Sequence, residues 1–235
     1  MLPPAAELAS AETSAEKCGM NPLHLCIALC PLAAYMFLLG AINLSRRPFL
    51  TTGGRDSYAL GVAVVGLMIA GPMKLFLPDN AAALFGPYIW LLMLSLYFLA
   101  VTFWVLMEKP RLVVFNSSID QLKPVLRRVA NELDAEARWS GDAILFPTLG
   151  IHLVLEESSA MRNVQINSVG SRQDFLSWRR LELALGGALR RETTTPSPYG
   201  GILLTIAFSI SVLVFLQLMR RPDLAALEWR ELMMF

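Results

Sequence analysis

The residues best equipped for chemistry lie in one short segment, RWSGDAILFPTLGIHLVLEE from Arg138 to Glu157, which holds Ser140, Asp142 and His152. A serine, a histidine and an aspartate are the nucleophile, base and orienting carboxylate of acyl transfer, provided the fold brings them within hydrogen-bond reach. The surroundings argue for a plainer role. Ser140 sits in WSGD, a run of turn formers, and no G-x-S-x-G elbow surrounds it. His152 alternates with Ile151, Leu153 and Leu155, the two-residue period of a strand with one buried face. The expectation is an outward-facing strand residue, and no catalytic residue is assigned.

Metal and cofactor chemistry lack a signature. The chain has only His24 and His152, and no H-E-x-x-H, C-x-x-C or C-x-x-C-H occurs. Cys26 and Cys30 stand one helical turn apart in an apolar run, and Cys18 stands alone in a polar tail. The glycine pairs at 53-54, 186-187 and 200-201 lack the lysine and hydroxyl of a phosphate-binding loop. They read as a loop, a helix break and a junction before an apolar run. No metal and no cofactor is expected.

The elements that must position any site are mostly apolar helices. With 55% hydrophobic residues, composition points to a membrane protein, and 20 Lys+Arg against 19 Asp+Glu leave no basic field for nucleic acid. A hydrocarbon core of ~30 Å needs ~20 apolar residues in a helix, because backbone groups there must bond within their own segment. Four runs qualify: Leu23–Leu44 with Pro31 inside, Tyr58–Leu77 with Pro72 and Lys74 near its end, Ala81–Met107 with Tyr88 and Trp104 near its ends, and Tyr199–Met219. Residues 1–22 read as a disordered tail without the basic and apolar regions of a signal peptide, and Met20 is a candidate natural start.

Residues 108–192 read differently. RLVVF is a short strand, and Ile119, Leu122, Leu126, Val129 and Leu133 then recur at helical steps behind a Ser118/Gln121 capping box. Pro124 either kinks that helix or marks a start near Lys123. AILF pairs with the His152 strand across Pro-Thr-Leu-Gly, and MRNVQINSV adds another strand. A second helix opens at Ser171 with Asp174, carries Phe175, Trp178, Leu181, Leu185 and Leu189 on one face, and ends at Arg190-Arg191. The expected fold class is a four-helix membrane protein with a small α+β domain between the third and fourth runs, two helices covering one sheet face. Residues 193–198, TTTPSP, form a stiff linker, and residues 220–235 a short tail in which Asp223 caps a helix.

Charge near the span ends sets the expected orientation. With the N-terminus outside, Arg46, Arg47, Arg55, Lys109, Arg111, Lys123, Arg190 and Arg191 are cytoplasmic, against Lys17, Lys74, Arg220 and Arg221 outside. The domain is thus expected in the cytoplasm of a plasma or inner membrane. Should the second run fail to cross, the parity changes and the tail becomes cytoplasmic.

Two surface features remain. Ala59, Ala63, Gly66 and Ala70 form a small-residue face that suits packing within the chain, or a homo-oligomer seam. Arg127, Arg128, Arg179, Arg180, Arg190 and Arg191 are candidate lipid-headgroup contacts, although 12 Lys/Arg and 11 Asp/Glu between 108 and 192 nearly cancel. No carboxylate lies inside an apolar run, against the habit of proton-coupled transporters. The expected function is a non-catalytic scaffold, assembly or partner-docking protein, whose partners are the lipid bilayer and a protein held by the soluble domain. A membrane-surface enzyme, or a transporter or channel accessory subunit, is the alternative.

Overall fold

The computed structural model describes residues 22–73, 86, 88–158, 162–170, 174–220, 222, 223 and 226. The N-terminal tail, Lys74 to Leu77, Ala81 and Ser171 lie outside them, as does most of the C-terminal tail. The described residues are mostly helical, and among them are four helices long and apolar enough to cross a membrane and a small antiparallel sheet.

The apolar helices are α1 (Pro22–Leu44), α2 (Gly53–Met68, continued by a π-helical turn Ile69–Met73), α3 (Tyr88–Met107) and α6 (Pro198–Arg220). α2 begins at Gly53, five residues before the Tyr58 expected from hydropathy, because a strand ends directly in front of it. That strand is β1 (Phe49–Thr52), which lies in the connection between the first two apolar helices.

The remaining elements are β2 (Arg111–Phe115), α4 (Ile119–Leu133), β3 (Arg138–Ser140), β4 (Ala143–Phe146), β5 (Ile151–Ser158), β6 (Asn163–Ser168) and α5 (Phe175–Leu189). The six strands order β1-β2-β6-β5-β4-β3, each pair antiparallel. β3 and β4 join through Gly141-Asp142, with Gly141 at φ +63° in the left-handed region that a tight hairpin requires.

One sheet face carries the core. Leu112, Val114, Ile144, Phe146, Ile151, Leu153, Leu155, Val164 and Ile166 pack against Leu122, Leu126 and Val129 of α4 and Trp178, Leu181 and Leu185 of α5. α4 starts behind Ser118 with the Ser118/Gln121 capping box formed, and runs unbroken through Pro124. Its start is therefore not near Lys123. Pro124 lies in the second turn, where its missing N–H and its ring disturb a single carbonyl, that of Asp120 in the first turn. α5 is capped by Asp174, whose carboxylate accepts from the N–H groups of Leu176 and Ser177, each at 3.2 Å. Phe175 departs from the expected buried face and is 75% exposed, because it begins the helix outside the overlap with the sheet.

Asp134, the C-cap of α4, fastens that helix to the β4–β5 turn. It is 4% exposed and accepts from Thr148 N–H at 2.9 Å, Thr148 Oγ1 at 2.8 Å and Glu136 N–H at 2.9 Å. Burial by itself would raise its pKa, but the bonds from Thr148, Glu136 and Leu149 outweigh it and hold the carboxyl below its ordinary value. A carboxyl depressed in the folded state contributes stability that is full above its unfolded pKa of ~3.9 and lost as pH falls through the folded value. We expect Asp134→Asn to be less stable than wild type at pH 7, with the gap in urea midpoint closing as pH drops below ~4. A gap that is constant with pH would exclude this linkage.

The chain divides into two compact units by internal contact. One comprises residues 1–33, 64–95 and 209–235; the other comprises 34–63 and 96–208. In the first, Gly66 of α2 meets the backbone of α1, and a Cβ on Gly66 would lie 1.9 Å from the Ile27 carbonyl oxygen. In the second, Gly200 of α6 meets Gly40 and Leu44 of α1, with the nearest backbone atoms 2.9 Å from an added Cβ. Close approach at small residues is how helices pack when apolar surface alone gives no preference between helix and lipid.

Candidate functional site: a polar joint at the ends of the apolar helices

The sheet register separates Ser140 from His152. Ser140 is aligned with Ala143 and through it with Val154, two residues along β5 from His152 and two strands away. At ~4.8 Å between strands and ~3.4 Å per residue, their Cα atoms are about 12 Å apart, too far for a nucleophile and its base. Asp142 instead pairs with Lys123 of α4 at 2.7 Å. His152 is exposed on the face opposite the core, and its carbonyl accepts from Val169 N–H at 2.8 Å.

The polar groups that do converge lie elsewhere, in the unit formed by 34–63 and 96–208. Pairing of Thr52 with Leu112 brings the start of α2 beside Arg111, the first residue of β2. Gly53 makes this possible: a Cβ there would lie 2.1 Å from Arg111 Cγ. Ser57, one turn into α2, then donates to Glu108 Oε1 at 2.8 Å, with Oε2 at 3.0 Å. Arg111 Nη2 donates to Ser57 Oγ at 3.0 Å and to Glu108 Oε2 at 3.4 Å. Tyr35 of α1 donates to Asp56 Oδ1 at 3.5 Å, and Asp56 lies in the field of the same guanidinium. A cavity of about 250 Å³ adjoins, lined by Glu108, Lys109, Pro110, Arg111, Asn167 and Ser168. In this network the Ser57 proton is committed to a carboxylate that a cation already stabilises, a weak base for activating a nucleophile. The arrangement joins three helices to a sheet and can bind a polar group.

A second set of buried polar groups latches three chain segments together. Asn116 follows β2 at φ +57°, is fully buried, and donates through Nδ2 to Ser45 O at 2.6 Å and to Thr194 Oγ1 at 3.0 Å. Thr194 N–H donates to Arg46 O and Ser197 N–H to Asn43 O, each at 2.9 Å. Arg162 Nη1 reaches Thr195 Oγ1 at 3.4 Å. The TTTPSP segment is thus tied to the end of α1 rather than hanging free. We expect Asn116→Gly, which keeps the left-handed backbone and loses both bonds, to cost ~1–3 kcal/mol. Asn116→Leu should cost a further ~1–3 kcal/mol for the backbone strain. Equal urea midpoints for the two variants would count against the strain.

The arginines expected at headgroups separate into two groups. Arg127 stacks over Trp139 with its guanidinium carbon 5.1 Å from the ring centre, and Arg128 pairs with Glu192 at 2.5 Å. Arg179, Arg180, Arg190 and Arg191 are exposed, on and just past α5. They share that exposed side with Phe175, Leu176 and Leu183, which are 75%, 71% and 67% exposed. Sequence spacing missed this apolar patch, although Leu176 and Leu183, seven residues apart and off the core stripe, are its visible signal.

Of the small-residue face, Ala63 and Gly66 are buried, while Ala59 lines a surface groove. Ala70 falls in the π-helical turn, where the spacing of three and four no longer holds one face. Two of the three glycine pairs differ from expectation, while Gly200-Gly201 stand at the start of an apolar helix as expected. Gly53-Gly54 open α2 rather than forming a loop. Gly186-Gly187 continue α5 instead of breaking it, since burial of Leu185 and Leu189 on the sheet offsets the poor helix propensity of glycine.

Fold and joint together define a mostly helical chain in which four apolar helices accompany a six-stranded antiparallel sheet carrying two covering helices. No family model, no curated protein and no solved structure matches this chain.

Proposed function

We propose that this chain is a multi-pass membrane protein whose α+β layer is a non-catalytic docking module for a protein partner. The observation that carries the reading is the outer side of α5. Phe175, Leu176 and Leu183 stand exposed among Arg179, Arg180, Arg190 and Arg191, while the opposite side of the same helix is buried in the core. An apolar cluster ringed by cations suits a partner with an apolar ridge flanked by carboxylates.

The topology reading has support from the sheet. β1 follows α1 and β2 follows α3, and the two strands pair, so α2 and α3 must cross a bilayer together or not at all. This favours four spans over three. The positive-inside bias then puts the sheet in the cytoplasm with both termini outside. In a Cys18→Ser background, a cysteine introduced at the exposed position Glu157 should resist an impermeant thiol reagent in intact cells, and its labelling there would reverse the orientation.

The docking reading is tested by purifying the tagged chain from its own membranes in mild detergent. A stoichiometric partner retained by wild type and lost from the Leu176→Glu/Leu183→Glu variant supports it. A monodisperse wild-type monomer without partner overturns it.

One observation favours a second reading, an enzyme acting at the membrane surface: Ser57, Glu108 and Arg111 converge beside a polar cavity. The two part on Ser57→Ala. Docking requires that the partner and the cellular function both survive the change; an enzyme requires that function fail with the partner still bound.

A further inference from the structure

A groove runs along the domain-side ends of α2 and α3, with a volume of about 540 Å³ and a lining of Thr52, Gly54, Arg55, Tyr58, Ala59 and Val105. Small residues open it. Gly54 offers no side chain, and a Cβ added there would lie 3.0 Å from Val105 Cγ1; one turn on, Ala59 keeps the α2 wall low. Arg55, Tyr58, Ala59 and Val62 recur at steps of three and four, so one side of α2 carries a cation at its start and apolar surface beyond. Tyr58 is held against Phe98 of α3, their ring centres 6.5 Å apart and their planes tilted by 35°.

The charge in this groove is unanswered. Arg55 is exposed and has no ion pair among the described residues, whereas Arg111, Lys123 and Arg128 are each paired with a carboxylate. The acidic side chains nearest in sequence and across the helices are already engaged. Asp56 accepts from Tyr35 of α1, and Glu108 accepts from Ser57 and Arg111. A cation at the rim of an apolar trough, with its neighbouring carboxylates committed elsewhere, complements a molecule with an anionic head and a hydrocarbon tail.

We propose that this groove holds one anionic phospholipid, its phosphate on the Arg55 guanidinium and an acyl chain along Tyr58, Ala59 and Val105. The inference rests on the membrane reading, since α2 and α3 must be lipid-facing for a bilayer lipid to reach it. It does not depend on the docking role of α5.

The test uses the full chain. Its resistance to alkaline carbonate extraction is measured first; extraction into the soluble fraction would overturn the membrane reading and this proposal with it. The chain is then placed in detergent micelles doped with phosphatidylglycerol or phosphatidylcholine, and retained lipid is counted by native mass spectrometry. We expect about five-fold stronger retention of phosphatidylglycerol, the factor given by one cation near an anionic surface. Arg55→Gln should abolish the preference, and Arg47→Gln, on an exposed arginine outside the groove, should leave it intact. Ala59→Phe, which fills the trough, should reduce retention of both lipids while the thermal midpoint stays close to wild type. Equal retention of the two lipids, or a preference that survives Arg55→Gln, overturns the proposal while the membrane reading stands. Displacement by glycerol 3-phosphate at the lipid's own concentration also overturns it, by showing a site for a free phosphate.

Discussion

Phe146→Ala is expected to unfold the sheet layer at a denaturant concentration far below wild type. Phe146 is fully buried in β4, aligned with Ile151 of β5 and part of the cluster in which α4 and α5 meet the sheet. Truncating a buried phenylalanine costs ~3–5 kcal/mol, because transfer free energy is lost and the surrounding wall collapses only in part. At a urea m-value of ~1.5 kcal/mol per molar the midpoint falls by ~2–3 M. Tryptic cleavage after Arg127 or Arg128, both exposed on α4, reports opening of this layer separately from the apolar helices. Phe146→Leu refills most of the volume and should recover most of the loss. Because α5 owes its position to the same core, Phe146→Ala should also release any partner held by Leu176 and Leu183. A midpoint within 0.5 M of wild type, ~0.8 kcal/mol at that m-value, would mean that the residue is not packed as described.

Gly66→Ala is the second large effect, and it falls on the apolar helices. An added Cβ would stand 1.9 Å from the Ile27 carbonyl oxygen and 3.1 Å from that of Ala28, both backbone atoms of α1 that cannot rotate away. The two helices must part before the contact reaches an ordinary 3.4 Å, and every neighbouring contact along the seam loosens with it. Overpacking costs ~1–3 kcal/mol where side chains can adjust, and a clash with backbone belongs at or above the top of that range. For a chain of this size ~3 kcal/mol lowers the melting temperature by ~6–12 °C. Gly71, five residues on, has no atom of the described residues within 4 Å of an added Cβ. Gly71→Ala should therefore melt within ~2 °C of wild type in the same detergent. Two glycines with the same shift would contradict the seam.

The contrast among the predicted faces shows what a local pattern can and cannot carry. Apolar run length marked four helices, because the length needed to cross hydrocarbon is a property of a continuous segment. The Ser118/Gln121 cap, the Gly141 hairpin turn and the alternation of Ile151, Leu153 and Leu155 are likewise encoded within a few residues of where they act. β1 is different. FLTT is four residues long, follows Arg-Arg-Pro and precedes Gly-Gly, and half-buried at an edge it has no alternation to announce it. Its support comes from far along the chain: hydrogen bonding to β2, about sixty residues later, and packing of Leu50 against the core beside α5. Phe175 shares the spacing of the core stripe yet stands in the open, since spacing fixes a side of the helix and not how far the partner surface extends.

The joint was illegible for the same reason. Ser57, Glu108 and Arg111 belong to a helix start, a helix exit and a strand start, and none of them sits in a motif. They meet because β1–β2 pairing draws the start of α2 against β2, and Gly53 leaves room for the arginine stem. Ser140, Asp142 and His152 illustrate the converse: close in sequence, they are dispersed by a register that aligns His152 with Leu145 and commits Asp142 to Lys123. The amino-acid sequence by itself determined the four apolar helices, the helix-and-strand periods of residues 108–192 and the near-balance of charge, all set by length, period and composition. Only the tertiary structure decided which polar groups converge and which carboxylate or ring each paired arginine meets, because those depend on strand pairing between distant segments, and no short-range signal specifies a partner that far along the chain.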